Sequence, residues 1–249
     1  VEGQTQDHRI RKPAQFEVSD TGALSPTRDD GREMMRHAAA IMVFFLTAGA
    51  SAAQTLDEDA RFDAATNAVR DRDFRLAVAL FEPLAEADVP DAQFNLAVLL
   101  REGRGRPQNH VEAPYWSALA LLSDGTYAQD MVTELLERLP LGARQAVMSR
   151  LLDRLTAQAA AGEPDAPRKL ARVYAELMPE PDARLAYIWF SICYALGDNR
   201  CGEGREEMAE GIDPEDLIDV QIEAGERFAS LPYATMQEAG NGSGTTQIP

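Results

Sequence analysis

The sequence predicts an all-α fold, a solenoid of stacked helical hairpins, and three observations predict it. Apolar residues recur at helical spacing along the chain. Gly, Pro and Asp breakers divide it into segments of roughly 10 to 20 residues, and two stretches repeat one apolar pattern. No run alternates apolar and polar residues in the manner of a strand. Hydrophobic residues make up 45% of the 249, enough for a real core, and Ala and Leu dominate them.

Charge bounds the partners. There are 41 acidic against 24 basic residues, a formal net charge of −17. A nucleic-acid binder neutralises phosphates with Lys and Arg, so this balance argues against one. It argues equally against adsorption to an anionic membrane surface.

Residues 1–33 are polar and without periodicity. They read as a disordered extension, or as a stretch upstream of a translation start at Met34 or Met35. Residues 34–53 read as a secretory signal peptide. Arg36 is the positive start and Ala38 to Ala48 the apolar stretch, too short to span a bilayer comfortably. Ala50-Ser51-Ala52-Ala53 supplies small residues for cleavage before Gln54. The mature chain is therefore expected in the periplasm, without membrane insertion and as a monomer.

Residues 54–88 read as an N-terminal helical pair that caps the solenoid, with Phe74, Ala77, Val78 and Phe81 on one face. Ala92, Leu96, Leu99 and Leu100 mark the next helix. Leu135, Leu136 and Leu139 mark another, and Leu151, Leu152 and Leu155 one more. The breakers between them include Val89-Pro90-Asp91, Gly103 to Pro107, Ser123-Asp124-Gly125, Gly162-Glu163-Pro164, Met178 to Pro181, Gly197-Asp198 and Asp213-Pro214.

Two units follow, 89–158 and 159–230, and residues 231–249 read as a flexible tail. Ala113 to Leu155 aligns without a gap on Ala186 to Phe228. Trp116 meets Trp189, Glu134 meets Glu207, Leu155 meets Phe228 and Arg154 meets Arg227. Helical units repeated in this way cannot bury their apolar faces alone and build one continuous core by stacking. The tryptophans recur at the repeat period, which marks them as packing residues.

Ala92-Gln93-Phe94-Asn95-Leu96-Ala97, the loop Gly103-Arg104-Gly105-Arg106-Pro107-Gln108-Asn109, and then Ala113, Tyr115-Trp116 and Ala118 resemble one full Sel1-like repeat, a TPR-like helical hairpin. The copy departs from the family pattern at Ala97, Arg106 and Asn109. The second copy, Ala166 to Cys201, keeps Leu170, Tyr174, Trp189 and Gly197-Asp198 but has a different loop. The resemblance implies an α/α right-handed superhelix whose first helices line a concave wall.

Cys193 and Cys201 are the two cysteines, and they flank the Gly197-Asp198 turn. Their spacing resembles the disulfide-rich branch of the same family, where such a pair staples successive helices. In an exported protein an even cysteine count reads the same way. Buried free thiols and a redox pair are the alternatives. Two thiols alone make no zinc site, and no metal or cofactor is expected. His110 is the one histidine beyond residue 53, and no nucleophile-and-base pattern surrounds it, so no catalytic residue is assigned. Gly103-Arg104-Gly105 lacks the strand of a phosphate-binding loop and reads as an interhelical turn.

The family's concave wall points to Asn95, Arg101, Arg168, Lys169 and Arg172 as donors that could grip a partner's carbonyls or carboxylate terminus. The expected function is that of a periplasmic adaptor or regulator that binds a protein or peptide of the cell envelope, without catalysis. The alternatives are a cell-wall glycan hydrolase, which would need paired carboxylates in a cleft, and a structural subunit of an envelope complex.

Overall fold

The structure, a computed structural model, describes the backbone of residues 50–233 and the side chains of 58–233. The readings of the extension, of most of the leader and of the tail beyond residue 233 lie outside the described residues. The chain divides into two units after Glu58. Of the first, the described part is helical backbone that opens α1 (Ala50–Arg70).

The second unit is all helical among the described residues. After α1 come α2 (Phe74–Glu86), α3 (Pro90–Glu102), α4 (Glu112–Leu122), α5 (Gln129–Glu137), α6 (Leu141–Ala161), α7 (Ala166–Arg172), α8 (Ala183–Ala195), α9 (Cys201–Glu210) and α10 (Pro214–Ser230). Helices pack chiefly against chain neighbours: α2 on α3, α3 on α4, α4 on α5, then α6 on α7, α7 on α8 and α8 on α9. That pattern is what stacked hairpins produce. None of these helices is long and apolar enough to cross a membrane.

The breakers set the helix ends by recognisable means. Asp73 and Asp182 accept the amides of Leu76 and Leu185 and so cap α2 and α8. Pro90 and Pro214 sit in the first turns of α3 and α10, where no amide partner is lost. Gly103 and Gly162 close α3 and α6 in the left-handed conformation, at φ 68° and 84°. Asn109 stands where the family pattern has Asp and still caps α4, its Oδ1 accepting the amides of Val111 and Glu112 at 2.9 and 3.0 Å.

The internal alignment matches the helix positions. The ends of α4 and α8, the ends of α5 and α9, and the starts of α6 and α10 all differ by the offset that places Trp116 on Trp189. In α4 every residue from Ala113 to Leu122 is buried, because α3, α5 and α6 surround it. Trp116 and Trp189 are buried in equivalent places. Each carries an arginine guanidinium over its ring: Arg154 at 6.0 Å from the Trp116 centroid and Arg227 at 5.4 Å from that of Trp189. Arg154 also donates to Glu86 and Asp88, which ties α6 to the α2–α3 turn.

One departure from the α pattern lies after α7. Residues Val173–Leu177 form a π-helical turn, closed by the Met178 amide on the Val173 carbonyl at 3.1 Å. Apolar spacing gives no sign of it, since a single wide turn shifts the register only locally.

The Gly103-to-Pro107 loop is fixed by its second glycine. Gly105 has φ 79°, and a Cβ there would lie 2.2 Å from the Phe74 carbonyl oxygen. This is a close approach of two backbones, so the glycine serves packing. Gly105→Ala is expected to lower stability by more than about 2 kcal/mol in urea unfolding, and Gly103→Ala by only about 1 kcal/mol.

Candidate binding recess

The described residues contain a recess of about 400 Å³ where α7, α8, α9 and the turn after α4 meet. Its apolar floor is made by Leu121, Ala175, Phe190 and Met208. Gly204 of α9 lies against the Phe190 ring, where a Cβ would come within 2.7 Å of it, so the glycine lets the helix close over the aromatic floor.

One wall is an ion-pair network that joins equivalent turns of the two halves. Arg168 of α7 donates from a terminal nitrogen to Asp124 at 2.8 Å, and its Nε lies 3.5 Å from Asp198. Arg200 donates to the second oxygen of Asp124 at 2.8 Å and to both oxygens of Asp198 at 2.8 and 2.7 Å. Asp124 follows α4 and holds φ 66°, and Asp198 follows α8. Two arginines thus share two aspartates across the repeat boundary. The Arg200 hydrogen bonds pull the Asp198 carboxyl below its ordinary 3.8, with the nearby Arg168 charge assisting.

Beside this network, Cys193 and Cys201 are joined as a disulfide with Cα atoms 6.1 Å apart. The bridge connects the end of α8 to the start of α9 around the turn that presents Asp198. The equivalent positions in the first half are Ala120 and Ala128, both fully buried. The disulfide therefore stands where the first half has two buried alanines.

The five donors expected on a common wall are not brought together. Arg168 and Arg172 line the recess. Lys169 is only 7% exposed, because α7 lies between α6 and α8 and has little open face, so it is no free donor. Asn95 donates to the Asp91 carbonyl of its own helix at 2.7 Å. Arg101 opens onto a different recess beside Gln108, His110 and Arg138. The two arginines that remain are already engaged. Arg172 makes a two-pronged pair with Glu176 at 2.9 and 3.0 Å and donates to the Leu121 carbonyl at 3.0 Å.

The residues that sequence reasoning missed are acidic. Glu203 and Glu207, one turn apart on α9, are exposed on the far wall, and among the described residues neither is paired with an arginine. Glu207 figured in the sequence only as the repeat match of Glu134. Its place at the recess depends on how α9 crosses α7, which spacing does not encode. The recess thus offers an apolar floor, arginines neutralised by the chain's own carboxylates, and an unneutralised acidic edge. Asp124 and Glu176 are paired with arginines, and Glu203 and Glu207 are exposed.

No family model and no curated protein matches the chain. Among solved structures it is similar to a protective antigen present in uropathogenic Escherichia coli strains that displays an SLR fold. Identity is 20% and the TM-score 0.35, over 79% of this chain and 35% of that one, so this chain spans about a third of its length. The functional reading below rests on this chain's own residues.

Two measurements test the wall. Removing the bridge with Cys193→Ala plus Cys201→Ala is expected to cost about 2–3 kcal/mol in denaturant unfolding, since the closed loop is short. Asp198→Asn is expected to destabilise at neutral pH. Because the folded carboxyl titrates below its unfolded value, the gap between wild type and variant should persist above the ordinary carboxylate range. It should close as the pH falls through the depressed value. A gap that widened with acid would contradict the pairing.

Proposed function

We propose that this chain is a non-catalytic adaptor that binds a protein or peptide segment in the recess between α7, α8 and α9. The observation that carries the reading is the pairing of a buried aromatic floor at Phe190 with the open carboxylates of Glu203 and Glu207. An apolar anchor from the partner would seat on the floor, where desolvation supplies most of the affinity. Lys or Arg beside that anchor would meet the acidic edge, which sets specificity and association rate more than affinity.

This differs from capture of a carboxylate terminus by free arginines. Arg168, Arg172 and Arg200 are each paired with acids of the same chain, so an incoming carboxylate would have to displace one. A partner cation needs no such exchange. The chain's surplus of acid also steers basic segments toward it.

The apolar stretch and small-residue cleavage pattern before Gln54, and the disulfide, support a periplasmic place of action for this adaptor. Its two units, 89–158 and 159–230, would act as one body, with the recess built where the second meets the end of the first.

The test is photocrosslinking in intact cells from a probe residue placed at Glu207, with a second probe at the distant Arg138 as control. Crosslinks from 207 to one envelope protein, mapping to a segment with an apolar residue beside Lys or Arg, are the expected outcome. Glu203→Lys plus Glu207→Lys should reduce that capture at least tenfold with the fold intact by circular dichroism. Glycan hydrolysis by the purified chain that disappears in the same variant would reverse the reading in favour of an enzyme.

A further inference from the structure

The first half carries a recess of its own, of the opposite charge. It has a volume of about 280 Å³ and lies where the end of α3, the loop before α4, the end of α5 and the start of α6 meet. Leu135, Leu139, Pro140 and Ala143 are among its apolar lining, and Arg101 and Arg138 are its charged residues. In the gapless alignment Leu135 falls on Met208 and Arg138 on Gly211. Counted from Ala92 on Ala166, Arg101 falls on Ala175. Ala175 and Met208 line the recess between α7, α8 and α9, so the two recesses share repeat positions.

Two residue changes account for the difference in charge. In the first half one oxygen of Glu134 lies 2.8 Å from Arg138 and the other 3.8 Å from Arg101. Its equivalent Glu207 has Ala175 and Gly211 where those arginines stand, and it is exposed. A Cβ at Gly211 would meet nothing nearer than 3.5 Å, so close packing does not impose the glycine. Glu102 is shared as Glu134 is, at 3.0 Å from Arg104 and 3.9 Å from Arg101. Three arginines thus divide two carboxylates, and Arg101 is the one held loosely. Both of its acidic neighbours lie beyond hydrogen-bonding distance. Arg168, Arg172 and Arg200, by contrast, each donate to a carboxylate at 2.8 or 2.9 Å. The backbone of Arg101 is fixed, because the Gln108 side-chain amide donates to its carbonyl at 2.7 Å.

We propose that this recess binds a small organic monocarboxylate with a compact apolar body. The carboxylate meets Arg101 and Arg138, and the body lies on Leu135, Leu139 and Pro140. A carboxylate can accept two parallel N–H bonds from one guanidinium, and Arg101 has no tighter acid to give up. Burial of the apolar body supplies the rest of the affinity. The volume sits at the bottom of the range of about 300–1,000 Å³ usual for ligand sites, which suits a small molecule. No residue is shared with the recess of the adaptor reading.

The test titrates the full chain with phenylacetate and with 4-methylpentanoate by calorimetry. Saturable one-to-one binding is expected for both acids. Phenylacetamide, the neutral counterpart, should bind at least tenfold more weakly than phenylacetate. Arg101→Ala, which copies Ala175, should weaken phenylacetate at least tenfold with the fold intact by circular dichroism. Glu134→Gln removes the competing carboxylate and should tighten binding at least threefold. That gain would not follow if Arg101 served the fold alone, and it keeps the test decisive should Arg101→Ala unfold. Glu203→Gln plus Glu207→Gln should leave affinity within twofold, so this site and the adaptor reading can fail separately. No saturable binding of either acid would overturn the proposal. Equal binding of phenylacetamide would also overturn it, by making the recess merely apolar, and so would equally tight binding of inorganic sulfate, by making it a site for any anion.

Discussion

The second half of the molecule is positioned by one buried guanidinium. Arg168 sits at the boundary between the units, 6% exposed, with Asp124 of one turn and Asp198 of the equivalent turn as its counter-ions. A buried cation without partners would cost several kcal/mol, so the two turns must stay close enough to serve it. Arg200 draws the same aspartates together from the solvent side. Exposed pairs of that kind contribute little individually, but here they orient the carboxylates that the buried arginine depends on. The disulfide acts on the same turn through the backbone. The recess wall is therefore over-determined, by charge on one side and a covalent link on the other.

The same arrangement explains why the candidate donors changed roles. Arginines on a helix of an acidic protein look available in sequence. In the fold Arg101, Arg168 and Arg172 each find a carboxylate, and the groups left over at the recess are glutamates. With 41 acidic residues against 24 basic ones, most arginines will meet an acid and many acids will meet none. The surplus sign, and not the rarer residue, marks the open edge of the recess.

Much of the fold was legible because its determinants are local. Breakers placed the helix ends, since caps and left-handed glycines act within a few residues. The tryptophan register predicted equivalent buried sites, and the resemblance of the cysteine spacing to a disulfide-rich family implied the staple. What spacing could not reveal was long-range. The family's helix position puts Lys169 on an open wall, yet α7 is flanked on two sides and has little open face. The partners of Arg168 and Arg200 are brought near by how the repeats stack. The π turn at Val173–Leu177 has no compositional mark at all.

The burial of Lys169 has a practical side. It is the sole lysine beyond Lys12, so past that point the chain holds a single side-chain amine, enclosed between α6 and α8. Acylating reagents would reach it only when that layer parts. The rate of its modification is thus a built-in clock for breathing of the helix stack, readable by mass alone and requiring no engineered label.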